Sequence, residues 1–326
     1  MDVNRRALLI AAAAAGSVAT VRPALAAGPT PGVTSAIERF AALPATASCL
    51  IDAADPKGGW TAGHDSAAVL FIGSAVKTFI LAQYLRDVEA GRLSETDQRR
   101  IDDAVRSPGS PVFLNLSGTT PARSVLEAMI AHSDNTATDV ALAAVGPEKV
   151  RALIKEAGLT ATRIPHSTRR LFSFLAGAPA GTDLGWSEMQ RLATAEPAGP
   201  TRPPINDTET MVSSAEELVR WYRRALQPGF FAKPETLVEF KRIQAMADSL
   251  ALVVPPDTAA YGKGGSIDWK DFHCFCLAGQ MVTQQVPVTF CFTINWTGPD
   301  ESVASVFPVY KAAVADALRE AAQALA

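Results

Sequence analysis

Three strand-like runs near the C-terminal end constrain the fold more than any other feature of this sequence. Only short turns separate them, and their bounds are Ala259–Trp269, Phe272–Val282 and Val286–Trp296. Consecutive strands with such short connections predict an antiparallel meander. Two further strands are predicted near the N-terminal end, at Thr46–Ala54 and Trp60–Gly63.

The chain between these two groups of strands has the apolar spacing of helices. The sequence therefore predicts an α+β fold with one antiparallel sheet built from both chain ends, at about residues 28–65 and 255–326. An all-helical region, at about residues 66–254, is inserted between them.

Composition limits the classes of partner. The chain has 326 residues, of which 48% are hydrophobic, and its net charge is −3. This length allows a large core, and this charge leaves no broad basic surface for nucleic acid or an anionic membrane. We therefore expect a small-molecule or peptide-like substrate and no nucleic-acid partner, and the sequence leaves the oligomeric state open.

The first 27 residues have the layout of an export signal. Arg5 and Arg6 precede an apolar run from Ala7 to Val18, and small residues follow at Ala24-Leu25-Ala26-Ala27. The arginine pair suggests the twin-arginine route, and cleavage is expected near Ala26 or Ala27. A transmembrane anchor is the alternative, but the run is short and rich in alanine. We therefore expect a periplasmic or secreted domain of residues 28–326, without a stable membrane anchor.

Four cysteines fall in strand-like runs, at Cys49, Cys274, Cys276 and Cys291. Disulfides can form in an oxidising compartment, and His273 beside Cys274 also fits a metal site. Cysteine is, however, among the most buried residue types, and apolar strands explain the pattern without a metal. We expect neither a metal nor a cofactor.

Ser74 and Lys77 lie three residues apart where an apolar helix is predicted to begin. Residues with this spacing share a helix face, so the Lys77 amine can fold back beside the Ser74 hydroxyl. A serine hydroxyl needs such a base to become a nucleophile, and a lysine serves when burial and cationic neighbours depress its pKa. The alternative is a surface lysine one turn after a helix-capping serine.

Three short motifs occur in a fixed order along the chain: Ser74-x-x-Lys77, Ser133-Asp134-Asn135 and Lys263-Gly264-Gly265. This combination resembles the serine β-lactamases and penicillin-binding proteins, and most closely the class A β-lactamases. The segments Leu126–Ile130 and Ile205–Thr208 are also similar to that class. The resemblance extends over nearly all of the chain after the signal.

The resemblance implies a role for each motif residue. Ser74 would be the acylated nucleophile and Lys77 its general base, directly or through a water. Ser133 would relay a proton to the leaving nitrogen or oxygen. Asn135 would hold Lys77 and the amide carbonyl of the substrate. Lys263 would add positive charge, which lowers the pKa of Lys77 and attracts an anionic substrate.

The resemblance also places an oxyanion hole at the main-chain N–H groups of Ser74 and Ser266. Gly264 and Gly265 would let a ligand lie close to the strand, and a β-bulge is their alternative role. The family usually has threonine or serine after the strand lysine, whereas Gly264 has no hydroxyl. No arginine follows in the strand region after Lys263, so a substrate without a carboxylate becomes credible.

Class A enzymes carry a glutamate on an omega-shaped loop, where it activates water against the acyl-enzyme. Thr162-Arg163-Ile164 resembles the start of that loop, but Pro165 to Arg170 contains no carboxylate. The likeness resumes only at Ile205, so Thr162 to Asp207 is predicted to be an enlarged loop.

The best candidate for the missing base is Glu196, because Glu196-Pro197 lies a similar distance before Asp207 as the family's Glu-Pro does before its loop-closing aspartate. Asp183 and Glu188 are weaker candidates, and all three acids could instead be solvated. His166 is a further alternative, since a histidine near a cleft titrates in the useful range.

The sequence thus predicts an exported serine hydrolase that works through a Ser74 acyl-enzyme. Hydrolysis of β-lactams is the leading activity. A serine esterase or amidase, or a D,D-peptidase, is the alternative on the same fold. A protein that only binds a cell-wall fragment or a partner is a further hypothesis, which the retention of Ser74, Lys77, Ser133 and Lys263 disfavours.

Overall fold

The computed structural model describes residues 28–55, 58–195, 197 and 199–325, and an antiparallel sheet of five strands lies at its centre. The strands of the chain are β1 (Thr46–Ala53), β2 (Trp60–His64), β3 (Leu70–Phe71), β4 (Gln98–Ile101), β5 (Gly118–Pro121), β6 (Val212–Ser213), β7 (Ala259–Trp269), β8 (Phe272–Thr283) and β9 (Val286–Thr297). The sheet has the order β2-β1-β9-β8-β7. It is therefore built from both ends of the chain, which confirms the predicted α+β fold.

Ten helices complete the described part of the chain. They are α1 (Pro31–Ala41), α2 (Lys77–Glu89), α3 (Ala122–Ala131), α4 (Asn135–Val145), α5 (Pro147–Glu156), α6 (Thr168–Leu175), α7 (Gly185–Leu192), α8 (Ala215–Ala225), α9 (Pro234–Gln244) and α10 (Glu301–Gln323). Within these bounds no helix is long and apolar enough to cross a membrane. The predicted export signal lies outside the described residues.

Helices cover both faces of the sheet, which explains why its central strand is apolar along most of its length. α1 and α10 pack together on one face, and α8 packs on β1, β8 and β9. Phe290, Phe292 and Ile294 of β9 are completely buried. The Phe40 ring of α1 meets the Phe292 ring at 5.1 Å, so the terminal helices are fixed to the middle of the sheet.

The segment predicted as an enlarged loop contains two helices, α6 and α7. Ser167 caps α6 by accepting a hydrogen bond from the Arg170 N–H at 3.0 Å, and Leu171 and Leu175 are buried. The high content of proline and glycine around these short helices concealed their periodicity. The pairs β3–β6 and β4–β5 were also not predicted, because strands this short carry little pattern.

The segment after α6 is tied to the hairpin between β7 and β8. Arg202 donates to the carbonyl oxygens of Phe174 at 2.6 Å and Ala178 at 2.7 Å. The Trp269 indole N–H donates to the Arg202 carbonyl at 3.2 Å. These contacts hold α6 beside the C-terminal end of β7.

Candidate active site

Ser74 lies in a turn of 3₁₀ helix, Gly73–Val76, immediately before α2. This differs slightly from the predicted start of a helix at Ser74. Gly73 has a φ of +52°, which favours glycine. A Cβ atom on Gly73 would lie 2.7 Å from the Ser266 carbonyl oxygen, so the turn and β7 are in direct contact.

Gly265 makes a close approach that the sequence did not predict. A Cβ atom on it would lie 2.0 Å from the Ile72 carbonyl oxygen and 2.8 Å from the Ser74 nitrogen. The glycine therefore admits the Gly73–Val76 turn against β7, and it also lines the cavity that contains Lys263. This contact brings the main chain of Ser266 beside that of Ser74, which is the arrangement that the predicted oxyanion hole requires.

Lys77 is completely buried at the start of α2. Its Nζ donates to the Ser133 carbonyl oxygen at 2.6 Å and to Asn135 Oδ1 at 2.7 Å, with Ser133 Oγ at 3.3 Å. Burial and the nearby Lys263 charge hold the pKa of Lys77 well below its usual value. A neutral amine has two N–H groups, which these two oxygens occupy, and its lone pair remains free to accept a proton.

None of the Lys77 hydrogen bonds among the described residues goes to Ser74 Oγ. The sequence spacing predicts that the two side chains share a helix face, whereas the hydrogen bonds of the amine go to Ser133 and Asn135. Among the hydroxyls of the described residues, the amine is within hydrogen-bond distance of Ser133 Oγ.

Ser133 is aimed at Lys77 by an unusual backbone conformation, with a φ of +58°. The adjacent Asp134 stabilises this turn: its carboxylate accepts from the Ala137 N–H at 2.8 Å and from the Val112 and Phe113 N–H groups at 2.9 Å each. Asp134 was not predicted to have a role, although it stands inside a predicted motif. Its three main-chain hydrogen bonds hold the Ser133 loop against α4 and the segment at Val112.

Lys263 lies on β7 with only 2% of its surface exposed. Burial lowers its pKa to about 8, and its Nζ donates to the Gly264 carbonyl oxygen at 2.8 Å. Lys263 and Ser133 line the same cavity, of about 190 Å³. The three motifs therefore converge at one place, as predicted.

A second cavity, of about 30 Å³, lies on the α6 side of Ser74. Its polar lining residues are Ser74, Asn135, Thr168 and Ser266, and Phe172 is among its apolar lining residues. A cavity of this volume holds about one water molecule. Its lining contains no carboxylate and no histidine among the residues the structure describes.

Thr168 takes this position because of a buried carboxylate. Asp139 of α4 accepts from the Thr168 N–H at 2.6 Å and from the Arg169 N–H at 3.0 Å. Neither Thr168 nor Asp139 was singled out in the sequence. The absence of a carboxylate between Pro165 and Arg170 was the only sign that the residue beside Ser74 could be an unreactive one.

Three of the four predicted candidate bases lie away from this cavity in the described structure. Glu196 falls outside the described residues. Asp183 pairs with Arg169 at 2.6 Å, and Glu188 pairs with Arg191 at 2.6 Å. His166 lines a separate cavity with Arg170 and Glu209. None of Asp183, Glu188 and His166 lines the cavity beside Ser74, so the geometry argues against all three.

His273 and the cysteines are part of the core. The two ring nitrogens of His273 are each 2.9 Å from an oxygen, Asp268 Oδ1 and the Gly298 carbonyl. Cys49, Cys274, Cys276 and Cys291 are buried free thiols. The described ranges contain no group of three or more histidine, cysteine or acidic side chains that could hold a metal.

Known structures share this architecture. The structure of PBP-A has a TM-score of 0.69 and 16% identity, covering 92% of this chain and 98% of its own. A β-lactamase from Sphaerobacter thermophilus has a TM-score of 0.68 and 19% identity, with coverages of 90% and 96%. A β-lactamase from Chitinophaga pinensis has a TM-score of 0.68 and 16% identity, with coverages of 91% and 100%.

The sequence itself carries the family assignment. No curated protein matches the chain. The model of a family described as the β-lactamase enzyme family matches residues 34–265, which span Ser74, Ser133 and Lys263. The match covers most of the chain, and the protein belongs to the β-lactamase enzyme family, as a serine-β-lactamase-like hydrolase.

Proposed function

We propose that the protein opens the amide bond of a β-lactam, or of the peptide-like substrate that a β-lactam mimics, by acylation of Ser74. The observation that carries this proposal is the buried Lys77 amine, with its depressed pKa and its contacts to Ser133 and Asn135. This amine is suited to take the Ser74 proton at neutral pH.

The proposed reaction assigns its proton transfers to Lys77 and Ser133. Neutral Lys77 removes the proton from Ser74 Oγ, which attacks the carbonyl carbon of the substrate. The N–H groups of Ser74 and Ser266 stabilise the resulting oxyanion. Ser133 passes a proton to the amide nitrogen as the C–N bond breaks and regains one from the Lys77 ammonium, whose Nζ lies 3.3 Å from Ser133 Oγ. An ester on Ser74 remains, and Lys77 is neutral again.

We further propose that this ester is hydrolysed slowly. Support comes from the cavity beside Ser74, where Thr168, Leu171 and Phe172 stand and no described carboxylate is available to activate water. Slow release is expected of a penicillin-binding enzyme of the D,D-peptidase type. A mutant of the structural neighbour PBP-A was captured as an acyl-enzyme complex with penicillin G.

Rapid β-lactam hydrolysis is the second candidate. Membership of the β-lactamase enzyme family and the Glu196-Pro197 sequence favour it. In that case Glu196 would supply the base, and Glu196→Gln would lengthen the life of the acyl-enzyme. A purely esterolytic enzyme would instead cleave short acyl esters and ignore β-lactams.

Intact mass after mixing with penicillin G tests acylation, with Ser74→Ala as the control. We expect an adduct of one penicillin molecule on the unaltered protein and none on the variant. Absence of an adduct with penicillins, cephalosporins and acyl esters alike would refute the proposal and favour a binding protein.

The decay of that adduct over time distinguishes the two candidates. We expect decay over many minutes and the same decay in Glu196→Gln. Turnover within seconds, slowed in Glu196→Gln, would establish the lactamase instead.

We also propose that the enzyme works outside the cytoplasm, after removal of residues 1–27, on a small-molecule or peptide-like substrate. The Arg5-Arg6 pair and the apolar run after it support this proposal. N-terminal sequencing of the protein secreted by an expressing bacterium tests it, and a mature N-terminus near Ala27 or Gly28 is expected.

A further inference from the structure

Ser249 occupies the space in which the family usually has a side chain. It lies just before β7, and a Cβ atom on Gly264 would be 2.7 Å from Ser249 Oγ and 2.8 Å from Ser249 Cβ. No side chain at position 264 fits while Ser249 stays in place. The absence of a side chain at Gly264 and the presence of the Ser249 side chain are therefore complementary in space.

The Ser249 hydroxyl has no hydrogen-bond partner among the described residues, although its oxygen is buried. An unsatisfied buried hydroxyl is unfavourable, and such a group in a folded protein calls for an explanation, of which a functional role is one. Ser249 lines the cavity of about 190 Å³ together with Ser133 and Lys263, so this cavity continues from the acylation site.

The charges around this cavity favour an anion. Lys263 lies in its wall, and its Nζ bonds only to the Gly264 carbonyl within the described chain. Lys311 of α10 also lines it. Asp248 opposes these two cations, but its side chain is largely exposed at the rim, 3.9 Å from His132. Two lysines against one exposed carboxylate leave an excess of positive charge.

We propose that Ser249 supplies the hydroxyl that Gly264 lacks, and that Ser249 and Lys263 together bind a carboxylate of the substrate. Rotation about the Ser249 Cα–Cβ bond turns its O–H from Gly264 into the cavity, where it donates to one carboxylate oxygen. The Lys263 ammonium donates to the other. This inference rests on the proposed function. It assigns to Ser249 the hydroxyl contact with a carboxylate that the residue after the strand lysine usually makes in this family.

The test measures binding in the Ser74→Ala background, so that its outcome does not depend on acylation. Calorimetry at pH 7 compares penicillin G with its methyl ester, which lacks the negative charge. We expect the free acid to bind more tightly, and adding Ser249→Ala to weaken its binding about 10-fold, as for the loss of a hydrogen bond to a charged group. Binding of the ester should change less than about twofold. Ser305→Ala, an exposed serine of α10, is the matched control.

A paired substitution separates the hydroxyl from the packing. Ser249→Gly together with Gly264→Thr removes the obstructing side chain and returns a hydroxyl to the strand. We expect this pair to recover the preference for the free acid. Equal binding of acid and ester before any change at Ser249, or equal weakening of both by Ser249→Ala, would overturn the subsite. An acylation failure in the separate mass experiment would overturn only the proposed function.

Discussion

Asp139 accepts a hydrogen bond from the Thr168 main-chain N–H at 2.6 Å, and this bond joins α4, which begins at the Ser133 loop, to α6. The contact determines which residue faces the water-sized cavity beside Ser74. That residue is a threonine. The described wall of this cavity therefore contains no carboxylate or histidine that could activate water against the proposed acyl-enzyme.

Thr168→Glu should shorten the life of the acyl-enzyme. Thr168 is buried and lines the Ser74 cavity, so the new carboxylate can reach a water beside the ester. Burial and the nearby Asp139 would raise its pKa toward the range of a useful base. General-base catalysis typically contributes 10²–10⁴-fold, and we expect at least about 100-fold faster adduct decay by time-resolved intact mass.

Thr168→Gln is the control, because it has the same shape and no basic oxygen. Its adduct should decay within a few-fold of the original rate. Equal acceleration in both variants would mean that enlarging the side chain admits water, and that a base is not what the site lacks.

The buried Asp139 should make stability depend on pH. Burial raises its pKa to about 6 from 3.8, against the hydrogen bonds from Thr168 and Arg169. The folded state therefore holds this proton more tightly than the unfolded state. The contribution is most favourable below pH 4 and is lost as the pH rises through 6, by about 2 kcal/mol between pH 4.5 and 7.5.

Urea unfolding of Asp139→Asn at pH 4.5 and 7.5 tests this. The free energy of unfolding of the variant, relative to the original protein, should rise by about 2 kcal/mol between the two pH values. Asp207→Asn, at an exposed position, should show no such trend. A pH-independent difference for Asp139→Asn would contradict the prediction.

Lys263 should impose an upper pH limit on the recognition of anionic substrates. Its pKa of about 8 means that it is charged at pH 7 and loses the charge as the pH rises. The rate of acylation by penicillin G should therefore fall about 10-fold or more between pH 7 and 10, since the hydrogen bond from the charged Lys263 to the substrate is lost. The methyl ester should show no decline of that origin, and stopped-flow acylation rates for the two compounds make the comparison. A decline of the same size for both compounds would assign it to another group.

The long elements and the three motifs were predictable because each rests on local pattern. Ser74 and Lys77 could be identified from their spacing, and Ser133 and Lys263 from the resemblance of their motifs to the serine β-lactamases and penicillin-binding proteins. The residues that pack against these motif residues could not be predicted in the same way. Thr168 is held beside the Ser74 cavity by its hydrogen bond to Asp139, and Ser249 fills the space that the absent side chain of Gly264 leaves open. Both contacts join segments that are far apart in the chain, so the spacing of residues in the sequence does not predict them.

Gly265 provides the sharpest test of how β7 positions the nucleophile. A methyl group there would collide with the Ile72 carbonyl and with the Ser74 nitrogen, at 2.0 and 2.8 Å. Both are main-chain atoms, so the whole turn would have to withdraw from the strand. A displacement of about 1 Å in a catalytic group can cost 10²-fold in rate, and we expect at least that loss of acylation in Gly265→Ala.

The overpacking should also lower the free energy of unfolding by about 1–3 kcal/mol, so the rate must be expressed per folded molecule, determined by circular dichroism. Gly199→Ala is the matched control, because nothing lies within 4 Å of a Cβ atom there. Acylation of folded Gly265→Ala at the original rate would show that the turn can retreat without losing its alignment, and that contact with β7 is not what orients Ser74.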